Sequence, residues 1–165
     1  MIARGPPSIA RLHDLLTDMR GRKAALKSAI QDVGSRKGVS FRTINDPDGD
    51  TATSLVFFAP TTERAFRIAA ALNAEGVNAS VIYKPGRVDY HIYPYWTPIM
   101  ERRTWSENGG PWRWHDGEIR YNSNMCPRSL DLLSCAVHLD ISPDMSNVNV
   151  EELAAAVLKV LDALL

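Results

Sequence analysis

His91 stands in the aromatic run Asp89-Tyr90-His91-Ile92-Tyr93-Pro94-Tyr95-Trp96. Imidazole changes charge near neutral pH, so it can bond a sugar hydroxyl or a phosphate, or move a proton. The competing reading is a histidine packed among tyrosines with an ordinary hydrogen bond, and the two weigh equally. Tyr83, Arg87 and Arg128 can hold an anionic ligand, because the planar guanidinium fork matches a carboxylate or phosphate. Taken singly, each arginine reads first as a surface ion pair. Asn122 and Asn124 flank Ser123 just before Cys126. They can contact substrate hydroxyls, although a polar turn is the preferred reading. His138 and Asp140 alternate along one apolar run, a spacing that can begin a metal site. No third ligand accompanies them, so a hydrogen-bonded pair is expected, and no metal. No G-x-S-x-G elbow is present, which leaves serine catalysis without support. Trp105, Trp112 and Trp114 can stack on a sugar or anchor a protein interface, and the interface is preferred over a core role.

The elements that must position these residues belong to a chain of 165 residues, 45% hydrophobic and 23% charged, with a formal net charge of zero. That length suffices for a single domain with a real core. No basic stripe is present, so a nucleic-acid partner is not expected. The apolar stretches are short and amphipathic, and residues 1–7 lack the long apolar core of a signal peptide, so no membrane span or export signal is expected. Cys126 and Cys135 lack redox or zinc-ribbon spacing and read as ordinary thiols in a reducing, cytoplasmic setting.

Ser8, after Pro6-Pro7, can cap a helix whose stripe runs through Leu12, Leu15, Leu16, Met19, Leu26, Ile30 and Val33 to a stop at Gly34. Gly21 near its middle costs roughly 1 kcal/mol against Ala. It is either a surface glycine or a bend between two bodies. Strands are expected at 39–43, 54–59, 78–84 and 136–141, and residues 45–50 read as a turn. Thr61 or Thr62 caps a helix with Glu63 in its first turn, an inner face of Ala65, Ile68, Ala69 and Leu72, and Gly76 at its end. Residues 87–121 are a long stretch of poor periodicity, with a helical turn or two at 96–103, ordered mainly by contact with something else. Residues 128–133 read as a short helix. The last helix is expected to be capped by Asn149, with Glu152 as reciprocal partner and Val148 stapled to Leu153. Its buried stripe is Leu153, Val157, Val160, Leu161 and Leu164. The order predicts an α+β, two-layer domain: a small, mostly antiparallel sheet covered by helices, with a long N-terminal helix and a C-terminal helix. The exposed sheet face or the first helix would need a partner.

Several of these segments, in this order, resemble the C-terminal part of the DegT/DnrJ/EryC1/StrS sugar aminotransferases, which are fold-type I pyridoxal-phosphate enzymes. Residues 8–34, with Met19-Arg20-Gly21-Arg22-Lys23, resemble the family's linking helix. Residues 54–59 and 61–75 resemble its strand and following helix. Gly76-Val77-Asn78-Ala79 and Tyr83-Lys84-Pro85 resemble its G-(I/V)…Y-x-P passage. Cys126-Pro127-Arg128-Ser129-Leu130-Asp131-Leu132-Leu133 resembles its C-P-x-(S/T)…L element, and residues 150–165 its terminal helix. The resemblance covers nearly the whole chain.

The resemblance implies that residues 1–165 are a single small domain of the C-terminal kind, with 8–34 linking and 87–121 a functional or interface loop. It implies that a histidine at the place of His91 faces the substrate. In a complete member, a large N-terminal domain binds pyridoxal phosphate and supplies the Schiff-base lysine. Here no glycine-rich phosphate cup opens a helix, and no serine-rich lysine turn is visible. A lysine becomes a Schiff-base nucleophile when its pKa is lowered. Lys84 occupies the variable place of Y-x-P and reads as a rim lysine. The expectation is a small subunit, not catalytic alone, that docks as a hetero-oligomer on a large subunit carrying the lysine and most of the cofactor's contacts. Together they would move an amino group from an amino acid to a keto sugar or keto-cyclitol. This chain would supply substrate contacts from His91, Tyr83, Arg87, Asn124 and Arg128. The alternative is a non-catalytic binding or scaffold module derived or excised from such an enzyme. Met1 followed by Pro6-Pro7 reads as a natural start and weighs against excision.

Overall fold

A run of β-favouring residues, Leu55-Val56-Phe57-Phe58, forms the central part of the sheet in the computed structural model, which describes residues 9–165 and their side chains from residue 11. The Ser8 cap lies outside the described residues. The elements are α1 (Ile9–Arg36), β1 (Ser40–Phe41), β2 (Ser54–Phe58), α2 (Thr62–Ala74), β3 (Ala79–Val81), α3 (Thr97–Met100), α4 (Pro127–Cys135), β4 (Ala136–Asp140) and α5 (Asn147–Leu164), with 3-10 turns at Tyr93–Tyr95 and Trp112–Trp114. This is the expected α+β class. The chain divides into two compact units. Unit 1 comprises Met1–Ile82 and Cys135–Leu165, and unit 2 is Tyr83–Ser134. No helix among the described residues is long and apolar enough to cross a membrane.

Unit 1 is one four-stranded sheet in the order β1-β2-β4-β3, antiparallel throughout, with Leu55 opposite Leu139 and Ala79 also opposite Leu139. Both β2 and β3 are antiparallel to β4, so they run parallel to each other. Helix α2 makes the crossover between them and leaves a gap that β4 fills. Alternation sends Leu55, Phe57, Val137 and Leu139 to one face. There they meet Leu26 and Ile30 of α1, Ile68 and Leu72 of α2, and Val157 and Leu161 of α5. Helix α5 lies against both α1 and α2. The ring of Phe41 meets Phe57 edge-on at 6.5 Å. On the opposite face Val56 and Ala136 are buried as well. The first turns of α1 are different: Leu12 and Leu15 are exposed, while Met19, Leu26 and Ile30 are buried.

Three helices end in one backbone motif. In α1, Val39 N–H donates to Gly34 O (2.8 Å) and Gly38 N–H to Ser35 O (3.2 Å). In α2, Val77 N–H donates to Leu72 O (2.9 Å) and Gly76 N–H to Asn73 O (3.1 Å). In α3, Arg103 N–H donates to Pro98 O (2.8 Å) and Arg102 N–H to Ile99 O (3.0 Å). This is the Schellman closure, which needs a left-handed residue at its turning point. Gly38 (φ 77°) and Gly76 (φ 84°) supply it freely, whereas Arg102 (φ 54°) does so at a steric cost of roughly 1–2 kcal/mol. The stop of α1 is therefore Gly38. Gly34, the expected stop, lies inside the helix, where a side chain would press on Val39. Gly21 has open space around it and the helix passes through it unbroken, as a surface glycine does.

The cap of helix α5 lies three residues before the expected one, at Ser146. Ser146 Oγ accepts from Asn149 N–H (3.2 Å), and Asn149 Oδ1 accepts from Ser146 N–H (2.9 Å). Asn149 thus serves as the reciprocal partner and not as the cap. Val148 falls inside the first turn, where it is exposed and does not staple. Ser146→Ala removes one half of this exchange and should cost about 1 kcal/mol in urea unfolding. Asn149→Ala should cost less, because Ser146 still accepts from the residue 149 amide. Equal losses would contradict the assignment. The expected strands at 39–43 and 78–84 shrink to two and three residues. Pairing continues slightly beyond them, through Arg42 N–H to Val56 O (3.2 Å) and Ile82 N–H to Ala136 O (3.1 Å).

A contact that no local pattern announces fastens loop 46–52 to α1. Lys23 Nζ meets Asp50 Oδ2 at 2.5 Å, with the two side chains 10% and 17% exposed. Arg20 donates to the backbone carbonyls of Asp48 and Asp50. Asp50 Oδ1 accepts from Ala52 N–H at 3.2 Å. Burial of Asp50 works against its charge. The Lys23 hydrogen bond, the Ala52 amide and the charges of Lys23 and Arg42 outweigh burial and hold the carboxyl below its ordinary 3.8.

Candidate functional site

All five candidate substrate residues and all three candidate interface tryptophans fall in unit 2. Its first turns set the charged group. Arg87 N–H donates to Lys84 O (3.1 Å) and Ile92 N–H to Asp89 O (3.0 Å), with the Ile92 side chain buried. Asp89 Oδ1 accepts from the His91 backbone (2.9 Å) and meets His91 Nδ1 at 2.8 Å. The backbone bond first, then the imidazole, with Arg87 adding a smaller pull, keeps Asp89 below the usual carboxylate range. The rest of the imidazole stands 95% exposed. His91 therefore matches neither a ring packed among tyrosines nor an enclosed proton carrier. It is an oriented, outward-facing ring with Nε2 open to a ligand.

Tyrosines form the second group. Partial burial, then the neighbouring phenols of Tyr95 and Tyr93, raise Tyr83 above its ordinary 10.0. Its hydroxyl stays protonated at neutral pH and can donate to an anion. Tyr93 connects distant segments: its hydroxyl donates to Ser123 O and accepts from Cys126 N–H, both at 3.0 Å. Asn122 Oδ1 accepts from Asn124 N–H at 2.9 Å. Asn122 is thus the structural residue of the polar turn, and Asn124 keeps its side chain exposed. Arg128 follows on the first turn of α4, also exposed. Sequence reading did not single out Tyr93 as a positioning residue. Its only signal was a place in the aromatic run beside Pro94.

The tryptophans divide. Trp105 is fully exposed and Trp114 is 76% exposed. Trp112 is half-buried, its Nε1 donating to the Tyr121 hydroxyl at 3.2 Å, and so belongs to the packing of unit 2. Trp96 donates from Nε1 to Tyr90 O at 2.8 Å and keeps much of its ring exposed. Of the exposed large apolar side chains, Leu12, Leu15 and Val148 belong to unit 1. Val88, Tyr90, Trp96, Ile99, Trp105, Trp114, Met125 and Leu132 belong to unit 2. Eight of these eleven side chains thus lie in the smaller unit.

Elsewhere, His138 Nδ1 lies 3.7 Å from Asp140 Oδ1, too long for a hydrogen bond. Asp140 accepts instead from Asn78 Nδ2 at 2.9 Å. Among the described residues no group of three or more His, Cys, Asp or Glu side chains is placed to hold a metal. Cys126 is exposed and Cys135 half-buried, both as free thiols. No protein-family model matches the sequence.

Proposed function

We propose that this chain is the small subunit of a split pyridoxal-phosphate aminotransferase, acting on a keto sugar or keto-cyclitol. The observation that carries the reading is unit 2 itself. It combines exposed groups suited to a hydroxylated or anionic substrate with most of the exposed large apolar side chains among the described residues. The order of motifs resembling the DegT/DnrJ/EryC1/StrS enzymes supports it, as does α1, whose early leucines stand uncovered.

The chain's own residues do not fit a covalently held aldehyde cofactor. The buried lysine, Lys23, is committed to Asp50. Lys37 pairs with Asp162 at 3.3 Å, Lys159 pairs with Glu75 at 2.8 Å, and Lys27 lies over the Phe41 ring at 5.4 Å. Lys84 is exposed, at the variable place of the Y-x-P passage. The cofactor and its lysine belong to the partner subunit in this proposal, and the cofactor supplies the electron sink for the carbon–nitrogen chemistry. This chain binds and orients. Arg87 and Arg128 take up anionic groups, the Tyr83 hydroxyl donates, and His91 Nε2 and the Asn124 amide meet sugar hydroxyls.

Mixing the purified chain with a candidate lysine-bearing subunit, pyridoxal phosphate and an amino donor tests the reading. Transamination in the mixture and in neither chain alone is the expected result. A stable but inactive complex would favour the alternative, a binding or scaffold module. Activity of this chain by itself would overturn both.

A further inference from the structure

Arg102 occupies the one Schellman turning point of three that is not glycine, and its side chain lines a hollow of about 450 Å³ within unit 2. Arg113, Thr104, Ser106 and the Trp112 ring share that lining. Each guanidinium makes one hydrogen bond to a carbonyl, Arg102 to Ile119 O and Arg113 to Glu107 O, both at 3.3 Å. Each therefore keeps further N–H donors, since a guanidinium has five. Of the two acids at the hollow, Glu101 is bound by Arg103 (2.6 Å) and Glu107 is left against two arginines. The balance of charge is positive. Glycine would close α3 without strain, so an arginine there is explained by what its head group does, and not by the turn it makes.

We propose that this hollow binds a small oxyanion, a carboxylate or a phosphate, between Arg102 and Arg113, with Trp112 as its wall. The site is separate from the Arg87, His91 and Arg128 group and does not rest on the aminotransferase reading. Guanidinium forks match both anions, and the Thr104 and Ser106 hydroxyls border the same space.

The test titrates the isotope-labelled full chain with inorganic phosphate and, separately, with acetate, at constant ionic strength. It follows the Trp112 indole and the amides of 102–113 by NMR. Saturating shifts are expected with at least one probe, and the stronger probe identifies the anion class. Arg102→Gln and Arg113→Gln should each weaken that response about tenfold, the loss of one charge-assisted contact. Arg67→Gln on α2 should leave it unchanged. Arg102→Gly should raise the melting temperature while weakening the response about tenfold, as Arg102→Gln does, a pairing that a merely structural arginine would not give. Shifts that rise linearly with both probes, or that survive both glutamine variants, would overturn the proposal. The lone chain is used without cofactor or partner, so failure of transamination has no bearing on the result.

Discussion

Lys23→Ala is expected to cost this chain roughly 3 kcal/mol at neutral pH, the low end for breaking a buried ion pair, because both side chains keep slight exposure. The loss arises from what remains. Asp50 stays beneath α1 with its charge, keeping the Ala52 amide and the more distant Arg42 but losing its nearest cation. Its pKa is depressed in the folded chain, so the stability it contributes is fully present above the ordinary carboxylate value of 3.8 and is lost as pH falls through the folded value. The deficit of the variant should therefore be largest near neutrality. It should shrink in acid, where a protonated Asp50 no longer needs Lys23. Urea unfolding at neutral pH and well below the ordinary carboxylate pKa measures both values. Lys159→Ala provides the contrast: it breaks an exposed pair with Glu75 of similar length and should cost under about 1 kcal/mol. Pairing Lys23→Met with Asp50→Asn should regain most of the loss, since the buried charge is gone and the acceptor for Ala52 remains. A pH-independent loss, or one no larger than that of Lys159→Ala, would show that the pair does not secure the loop.

Trp105→Ala should leave the lone chain's stability within about 0.5 kcal/mol of the parent, because the fully exposed ring gives up no packing. It should weaken binding to the proposed lysine-bearing partner by about 2 kcal/mol, or some thirtyfold, as the loss of a tryptophan anchor does. Trp112→Ala should behave in the opposite way. That ring is half-buried and bonded to Tyr121, so the lone chain loses stability first. Calorimetric titration on the partner, alongside thermal unfolding of each variant, separates the two roles. Unchanged partner affinity in Trp105→Ala would remove this ring from the interface and leave Trp114 and the leucines of α1 to account for it.

The sequence by itself determined what depends on neighbours three, four or two residues apart. The lower stripe of α1 (Met19, Leu26 and Ile30), the strands β2 and β4, a threonine cap on α2 and the inner face of that helix all follow from such spacing, and all are present; of the two threonines that could cap, Thr61 does so. Two local expectations gave way to tertiary context. The expected stop of α1, Gly34, lies inside the helix, and the chain turns toward β1 at Gly38. The expected cap of α5, Asn149, is the reciprocal partner of a cap at Ser146. Of the candidate site, the residue types were legible and their arrangement was not. Tyr93 reaches Ser123 and Cys126 across 30 and 33 positions, and Lys23 reaches Asp50 across 27. Which tryptophan is packed and which is bare likewise waited on the fold. Periodicity records only which face of an element is apolar. Partners far apart in the chain are decided by strand order and loop path, which bring them within hydrogen-bond distance only once the sheet has closed.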